Sequence, residues 1–293
     1  MVQGSAARAL RGRASRPKDT LWRRFSRHRL AVIGLVILTV MIAGAIGAPL
    51  VSPYEPDIIS YDFSAEPSAQ HLLGTDDVGR DEFSRLIFAS RISLVVGISV
   101  SLITVTIATV VGSIAGYYGG RTDALICAFI NVLMSIPLIP LAMVLGAFLK
   151  TDLLFLVLIL GLLSWTGTAR IIRAEFLSLK EREFTLAARL IGASDRRIII
   201  GHILPNTVAT IIVAGTLEVA GAILAESALS FMGFGIQPPT ASWGNMLQNA
   251  QRFFRVNPML AIYPGMLISL TVISINFLGD GLRDALDPRL RNR

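Results

Sequence analysis

Long apolar runs alternate with short charged segments along these 293 residues, and this alternation predicts a membrane protein. A helix needs about 20 apolar residues to cross the roughly 30 Å of hydrocarbon in a bilayer. Six segments are long enough, and we expect each to be a transmembrane helix in an all-α membrane protein surrounded by the lipid bilayer. These segments are residues 30–50, 92–117, 124–149, 153–172, 207–232 and 258–279.

Two of the six segments depart from a plain apolar run. Pro137 and Pro140 interrupt the third, which a transmembrane helix tolerates where neighbouring groups bind the freed carbonyls. The fourth is short and is followed at once by Arg170 and Arg173. We expect both to cross the bilayer.

Basic residues predict the orientation of the chain. Nine lysines and arginines precede residue 30, against the single acid Asp19, and the positive-inside rule keeps this end in the cytoplasm. Six crossings then return the C-terminus to the cytoplasm. The alternative is a cleaved signal peptide, with Arg23 and Arg24 as a twin-arginine signal. The long basic region and the absence of a clear A-x-A site favour an uncleaved first helix.

Composition excludes other classes of protein. The chain is 53% hydrophobic and only 16% charged, too few charges to keep the surface of a soluble domain hydrated. Its net charge of +7 lies at the ends and in loops rather than on a groove-reading face, so we expect no nucleic-acid partner. His28, His71 and His202 lie in three separate loops and form no catalytic set, so we expect no enzyme activity.

Two segments that follow outward crossings have patterns of their own. The loop of residues 51–91 is acidic but lacks the D-x-D-x-D-G spacing of a calcium loop, so we expect it to be solvated. Near its end, one helical face predicts a short interfacial helix; it carries Phe83, Leu86 and Ile87. A second helix is predicted along the outer face within residues 238–257, with Trp243 at headgroup depth.

The segment of residues 178–206, called the hook below, is charged, amphipathic and too polar to cross a bilayer. Ser178 and Glu181 fit a capping box that predicts a helix start. The apolar stripe of that helix contains Phe184, Ala187, Ala188 and Ile191. Two readings remain: an amphipathic helix resting on the membrane surface, or a docking helix. The alanine pair favours docking, which needs close backbone approach.

Four residues are expected to divide the hook into two helices. Gly192 suits the left-handed position that ends the first helix. Ser194 suits the N-cap of the second, and Asp195 suits its positive end. Pro205 is expected to stop that helix. Each helix would then be at most about 20 Å long, less than the membrane requires, so the hook should lie on the cytoplasmic side.

The hook also carries a family resemblance. LAARLIG followed by HILP resembles the E-A-A-x3-G-x9-I-x-L-P signature of ABC importer permeases, in which this loop forms a coupling helix seated in the ATPase subunit. Leu186 and His202 replace the Glu and Ile of the signature, which leaves a carboxylate contact to Glu181 or Glu183. The matching residues are Ala187, Ala188, Gly192, Leu204 and Pro205.

Further segments are similar to the C-type permease subunit of dipeptide and oligopeptide importers, including nickel-importing relatives. These segments are HLLGTDDVGRDEFSRLIFASRISL, AGYYGGRTD, ESALSFMGFGIQPPTASWGNML and FLGDGLRDALDPRLR. The resemblance implies a type I ABC importer permease fold. The implied parts are a basic segment 1–29, a first helix 30–50, a loop 51–91, a permease core 92–280 and a tail 281–293.

The resemblance also implies partners and a location in the bacterial inner membrane. A second homologous permease would complete the path for a peptide substrate, two ATP-binding subunits would dock below, and an extracytoplasmic binding protein would dock above. The chain has no phosphate-binding loop, so ATP and magnesium would be bound by the partner ATPases, with no cofactor here. The implied coupling residues are Glu181, Glu183, Phe184, Ala187, Ala188, Arg189, Gly192, Ala193, Ser194 and Pro205.

Polar residues inside the predicted spans are candidates for the translocation path. A charged group at mid-bilayer costs roughly 2.5–3.5 kcal/mol, so Glu218 and Glu226 should face a cavity or a partner. Either they line the path, where a carboxylate could meet the amino end of a peptide, or they are hydrogen-bonded packing residues. Asn131 is a weaker path candidate that also suits helix–helix packing. The alternative of a secondary transporter predicts internal repeats and paired acids, which the sequence does not show.

Overall fold

The computed structural model describes residues 21–148 and 152–286, and these form helices joined by loops. The helices are α1 Leu21–Phe25, α2 Arg29–Ile46, α3 Ala48–Val51, α4 Glu82–Tyr118, α5 Gly120–Ser135, α6 Leu138–Phe148, α7 Leu153–Lys180, α8 Glu183–Leu190, α9 Asp195–Ile198, α10 Leu204–Phe231, α11 Trp243–Ala250 and α12 Met259–Leu286. A π-helical turn, Ile199–Ile203, joins α9 to α10, and a 3-10 turn, Gln251–Phe253, follows α11.

Five helical segments of the described residues are long and apolar enough to cross a membrane. They are α2, α4, α7, the segment Asp195–Phe231 and α12. The predicted third span corresponds to α5 and α6, which are bent by 74° at their junction and pass the same test only as a pair. Six crossings result if this pair counts as one broken span. The break falls at Ile136 and Pro137, since proline disfavours helical backbone in the residue before it.

The predicted interfacial helix before the second span is wrong as a separate element. Helix α4 is continuous over 37 residues, and the apolar face near Phe83 belongs to its first turns. The Asp81 carboxylate starts the helix by accepting a hydrogen bond from the Ser84 N–H at 2.8 Å. No proline follows within its 37 residues, so the helix extends for about 55 Å.

The loop before α4 is exposed in its first part, which includes Glu55, Asp57, Asp62 and Glu66, and packed in its last part. The sequence prediction of a solvated loop is therefore wrong only for the part near α4. His71, Asp76 and Asp81 are all buried. His71 Nδ1 lies 2.9 Å from Asp81 Oδ1, and Arg80 Nε donates to Asp76 Oδ2 at 2.7 Å. Because these charged groups bind one another, the loop folds without leaving them in water. In the described ranges, no three His, Cys, Asp or Glu side chains are grouped to hold a metal ion.

Helix α11 confirms the predicted helix, but the predicted depth of its tryptophan is wrong. Trp243 is completely buried, in one apolar cluster with Ala89 and Ile268. A capping box between Ser242 and Asn245 starts the helix there. Trp243 therefore anchors α11 to α4 and α12 instead of meeting lipid headgroups.

Helices α4 and α7 form the most extensive helix–helix contact among the described residues, and two glycines of α4 permit it. A Cβ atom on Gly112 would lie 2.6 Å from the Ala169 carbonyl oxygen. A Cβ atom on Gly116 would lie 2.6 Å from Phe176 Cβ. Small residues at such contacts let membrane helices gain van der Waals packing, which replaces the hydrophobic effect inside lipid.

We predict that Gly112→Leu will separate α4 from α7. Overpacking of this kind costs about 1–3 kcal/mol, so the midpoint of thermal unfolding in detergent should fall clearly. The matched control is Gly44→Leu in α2, because a side chain at Gly44 would meet no atom within 4 Å. Equal midpoints for the two variants would contradict the packing argument.

Candidate coupling and translocation sites

The first helix of the hook begins later than the sequence predicts. Helix α7 continues through Ser178 to Lys180, so the predicted capping box at Ser178 is wrong. Leu179 explains the extension, because it packs into an apolar cluster and continues the buried stripe of α7. The Thr185 hydroxyl donates to the Leu179 carbonyl oxygen at 2.8 Å, which satisfies one acceptor at the end of the helix.

Gly192 ends the first hook helix, α8, as predicted. Its backbone has a φ of +82°, in the left-handed region. Its N–H donates to the Arg189 carbonyl at 3.0 Å, and the Ala193 N–H donates to the Ala188 carbonyl at 3.1 Å. This pair of bonds is a Schellman motif, in which the left-handed residue closes the helix. Ala193 is half-buried beside the cluster that contains Leu179.

The second hook helix does not end at Pro205, which corrects the sequence prediction. Ser194 occupies the N-cap position of α9, but its side chain makes no capping hydrogen bond. The π-helical turn leads into α10, and the helical segment from Asp195 to Phe231 is continuous. Proline is accepted here because it lies directly after the π-helical turn, where the backbone hydrogen-bond pattern already departs from that of an α-helix.

The apolar residues of the hook divide between an inner and an outer face. Thr185 and Ala188 are buried against the rest of the chain, so Ala188 does not lie on a free docking stripe. The outer hook face is defined by Phe184, Ala187, Leu190 and Ile191, all of them exposed. Leu190 and Ile191 are 88% and 86% exposed. Adjacent exposed apolar side chains are typical of a surface that contacts another protein or a membrane.

Polar side chains surround the outer hook face. Glu181 is the C-cap of α7, and Glu183 is the first residue of α8. Both carboxylates are exposed, as are Arg189 and Ser194. The surface therefore has an apolar centre and a charged rim.

The inner side of the hook is fixed to the ends of two long helices. Ala188 and Ile198 share an apolar cluster with Tyr117 of α4 and Phe176 of α7. The Tyr117 hydroxyl donates to Asp195 Oδ1 at 2.6 Å. Sequence reasoning missed Tyr117, although it lies in the segment AGYYGGRTD. No local pattern pairs two residues that are 78 positions apart.

Glu218 lies between the two helices that are continuous with the hook. It belongs to α10, is half-buried, and its Oε1 accepts a hydrogen bond from the Thr168 hydroxyl of α7 at 2.5 Å. One carboxylate oxygen is thus satisfied within the chain, and the partial exposure leaves the group accessible to a ligand.

Glu226 has a different environment, enclosed among serines. It is fully buried, and its Oε1 accepts a hydrogen bond from the Ser230 hydroxyl at 2.7 Å. Its Oε2 lies 3.4 Å from the Ser93 hydroxyl oxygen of α4. The Ser93 hydroxyl oxygen in turn accepts a hydrogen bond from the backbone N–H of Trp243 at 3.2 Å. Glu226 is therefore enclosed and linked to α4 and α11, as the packing alternative expects.

Asn131 also fits the packing alternative. Its Oδ1 accepts a hydrogen bond from Arg170 Nη2 at 2.5 Å, and the residue is exposed on α5. Nearby, Arg173 donates to both carboxylate oxygens of Asp123, at 2.5 and 2.6 Å. These pairs join α5 to α7, so the two arginines after the predicted fourth span have partners on the neighbouring helix.

Two family models match the chain. The model described as the binding-protein-dependent transport system inner membrane component matches residues 108–292. The model described as the N-terminal TM domain of oligopeptide transport permease C matches residues 18–72. The first match includes the whole hook and both helices that are continuous with it.

Curated relatives agree over nearly the full chain. Oligopeptide transport system permease protein OppC of Haemophilus influenzae is 41% identical over 279 residues, which cover 93% of this chain and 90% of the relative. Dipeptide transport system permease protein DppC of Bacillus subtilis is 40% identical, covering 92% of this chain and 85% of the relative. OppC of the same organism is 36% identical, with 94% and 92% covered. The chain is therefore a membrane protein of the ABC importer permease family, in its dipeptide and oligopeptide permease C branch.

Proposed function

We propose that this chain imports peptides as one half of a two-permease translocation path and that its hook is the docking site of an ATPase subunit. The observation that carries this proposal is the outer hook face, an exposed apolar surface between two candidate membrane spans. The relatives are oligopeptide and dipeptide permeases by name, which supports di- or oligopeptides as cargo.

The complete assembly would contain four partner chains of three kinds. A second homologous permease completes the path, two ATP-binding subunits bind ATP and magnesium, and an extracytoplasmic binding protein delivers the peptide. The hook and both chain termini face the cytoplasm in this arrangement. The basic residues that precede residue 30 support this orientation.

Burial of the outer hook face would contribute favourably to the free energy of docking. Leu190 and Ile191 are exposed in this chain, and burial of one such side chain contributes about 1.5–3 kcal/mol. A groove that receives both side chains would hold the hook firmly, while the charged rim fixes its orientation. In the alternative, an amphipathic helix resting on the membrane surface, the lipid would bury the same side chains without an ATPase.

Continuous helices can carry hook movement into the membrane. Helix α7 runs without a break to Lys180, and the segment Asp195–Phe231 begins inside the hook. An ATPase that binds the hook more tightly in one arrangement shifts the permease toward that arrangement. Since Glu218 and Thr168 lie on these two helices, tilting would also rearrange the groups proposed to meet the amino end of the peptide.

The outer hook face is tested by Leu190→Glu combined with Ile191→Glu. Two charges should prevent burial of this surface, so the ATPase subunits should no longer co-purify and peptide uptake should be lost. The matched control is Val256→Glu, which changes another side chain that is 86% exposed, in the turn between α11 and α12. Retention of the ATPase by the doubly charged variant would remove the hook from docking.

Substitutions at Gly192 test the shape of the hook. A side chain there meets no atom within 4 Å, but the left-handed backbone costs most residues about 1–2 kcal/mol. Uptake should therefore be highest in Gly192→Asn, lower in Gly192→Ala and lowest in Gly192→Val. Asparagine tolerates this backbone best and a β-branched residue worst. Gly201→Ala is the control, because Gly201 also has open space but an ordinary backbone. Full uptake by Gly192→Val would contradict the argument.

The two glutamates of α10 should respond differently to loss of charge. Glu218→Gln keeps an acceptor for Thr168 but removes the charge proposed to bind a peptide amine. The KM for peptide uptake should therefore rise about tenfold, the effect of losing one charge-assisted hydrogen bond. An N-acetylated peptide should show no such change. Glu226→Gln should instead lower the thermal midpoint with little change in KM. A rise in KM confined to Glu226→Gln would reverse the two assignments.

A further inference from the structure

Three long helices reach the hook, but only two of them are joined to it by the backbone. Helix α7 leads into it and α10 leads out of it. Helix α4 ends at Tyr118, some 60 residues earlier in the chain, and touches the hook only through side chains. Force can therefore pass directly between the hook and α4 through those contacts, in addition to the packing of α4 on α7 and α10.

Tyr117 makes the polar contact between α4 and the hook. The ring is 3% exposed and lies in the apolar cluster that holds Ala188 and Ile198. Its hydroxyl donates to Asp195 Oδ1 at 2.6 Å, and Arg189 interacts electrostatically with the same hydroxyl. Since Arg189 belongs to α8 and Asp195 to α9, one tyrosine contacts both helices of the hook. A hydrogen bond to a carboxylate is stronger than a neutral one and is directional.

The position of Tyr117 is itself fixed. Its neighbour Gly116 lies against α7 so closely that a Cβ atom would be 2.7 Å from the Arg173 carbonyl oxygen. Ser101 of α4 also donates to the Gly215 carbonyl of α10 at 2.7 Å. The end of α4 therefore cannot slide independently of its neighbours, and a displaced Asp195 would pull on a rigid helix.

The opposite end of α4 is bound to the packed loop and to α11. Asp81 caps its first turn, and Ser93 accepts the N–H of Trp243 at 3.2 Å. Helix α4 is unbroken between these contacts and Tyr117. It is thus a continuous connection of about 55 Å between the hook and the far side of the membrane.

We propose that the Tyr117–Asp195 hydrogen bond couples hook movement to α4, so that a docked ATPase moves the region of α11 through α4 as well as through α7 and α10. This inference rests on the proposed function, in which the hook binds the ATPase. Tyr117 acts here as a positioning residue. It transmits displacement and contacts neither nucleotide nor cargo.

The test is Tyr117→Phe in the full transporter, reconstituted with its ATPase subunits and binding protein in lipid vesicles. The ring stays and only the hydroxyl is lost. Uptake should fall about three- to tenfold, as expected for one hydrogen bond, and the ATP hydrolysed per peptide imported should rise. The ATPases should still co-purify, and the thermal midpoint should stay near that of the unaltered protein. The matched control, Tyr118→Phe, alters an adjacent tyrosine that is 53% exposed, and should change none of these quantities.

A double-mutant cycle assigns the effect to this pair. Asp195→Ala also removes a charge from the start of α9, so its effect alone includes a helix-end contribution. If the two residues act through one bond, Tyr117→Phe should have no further effect on the ATP-to-peptide ratio in the Asp195→Ala background. Additive effects would overturn the coupling role.

Other outcomes separate this inference from the proposed function. An unchanged ATP-to-peptide ratio in Tyr117→Phe would overturn the coupling role, whether uptake is normal or falls together with the thermal midpoint. The charged Leu190 and Ile191 variant tests docking alone. If that variant loses the ATPase while Tyr117→Phe is silent, docking stands and the α4 connection fails. If it retains the ATPase, the proposed function fails first.

Discussion

The close approach of α4 and α7 at Gly112 and Gly116 is the constraint on which the other contacts depend. Inside lipid, the hydrophobic effect does not drive helices together, so packing must come from backbones that approach within van der Waals distance. This approach brings Tyr117 and Phe176 into one cluster, and the inner face of the hook packs on that cluster. The hook is therefore attached to a rigid helix pair rather than to flexible chain ends.

The polar side chains of the long helices have hydrogen-bond and ion-pair partners that the tertiary structure brings close to them. Glu226 is surrounded by serine hydroxyls, Glu218 accepts from Thr168, and Arg173 binds Asp123. A buried charge without such partners would cost several kcal/mol. Thr168 and Asp123 belong to a different helix from their partners, so these two pairs also fix how two helices sit together. Of the two glutamates of α10, Glu218 is the one that combines such a partner with partial exposure, which makes it the better candidate for cargo contact.

Movement of the hook can be transmitted into the membrane only if the connecting helices are stiff. The breaks in helical structure lie within the hook and not in the long helices attached to it. The chain turns sharply at Gly192, whereas the π-helical turn near Pro205 keeps the following helix continuous. Displacement of the hook at Asp195 therefore reaches α10 without a break in the helix. In the proposed function, an ATPase that binds one arrangement of the hook more tightly would shift the balance between two arrangements of the helices. A loose connection would absorb the same displacement as loop motion.

The sequence by itself determined the features that depend on local chemistry: the apolar segments, the polar hook, the left-handed Gly192, the helix at α11 and the family. Hydropathy and backbone preference act over a few residues and can be read in order. Tertiary structure decided the burial of Trp243, the inward side of Ala188, the late start of the hook after Ser178 and the Tyr117–Asp195 bond. Each depends on contact between distant segments, and the free energy of such contacts overrides local capping and helix-breaking signals.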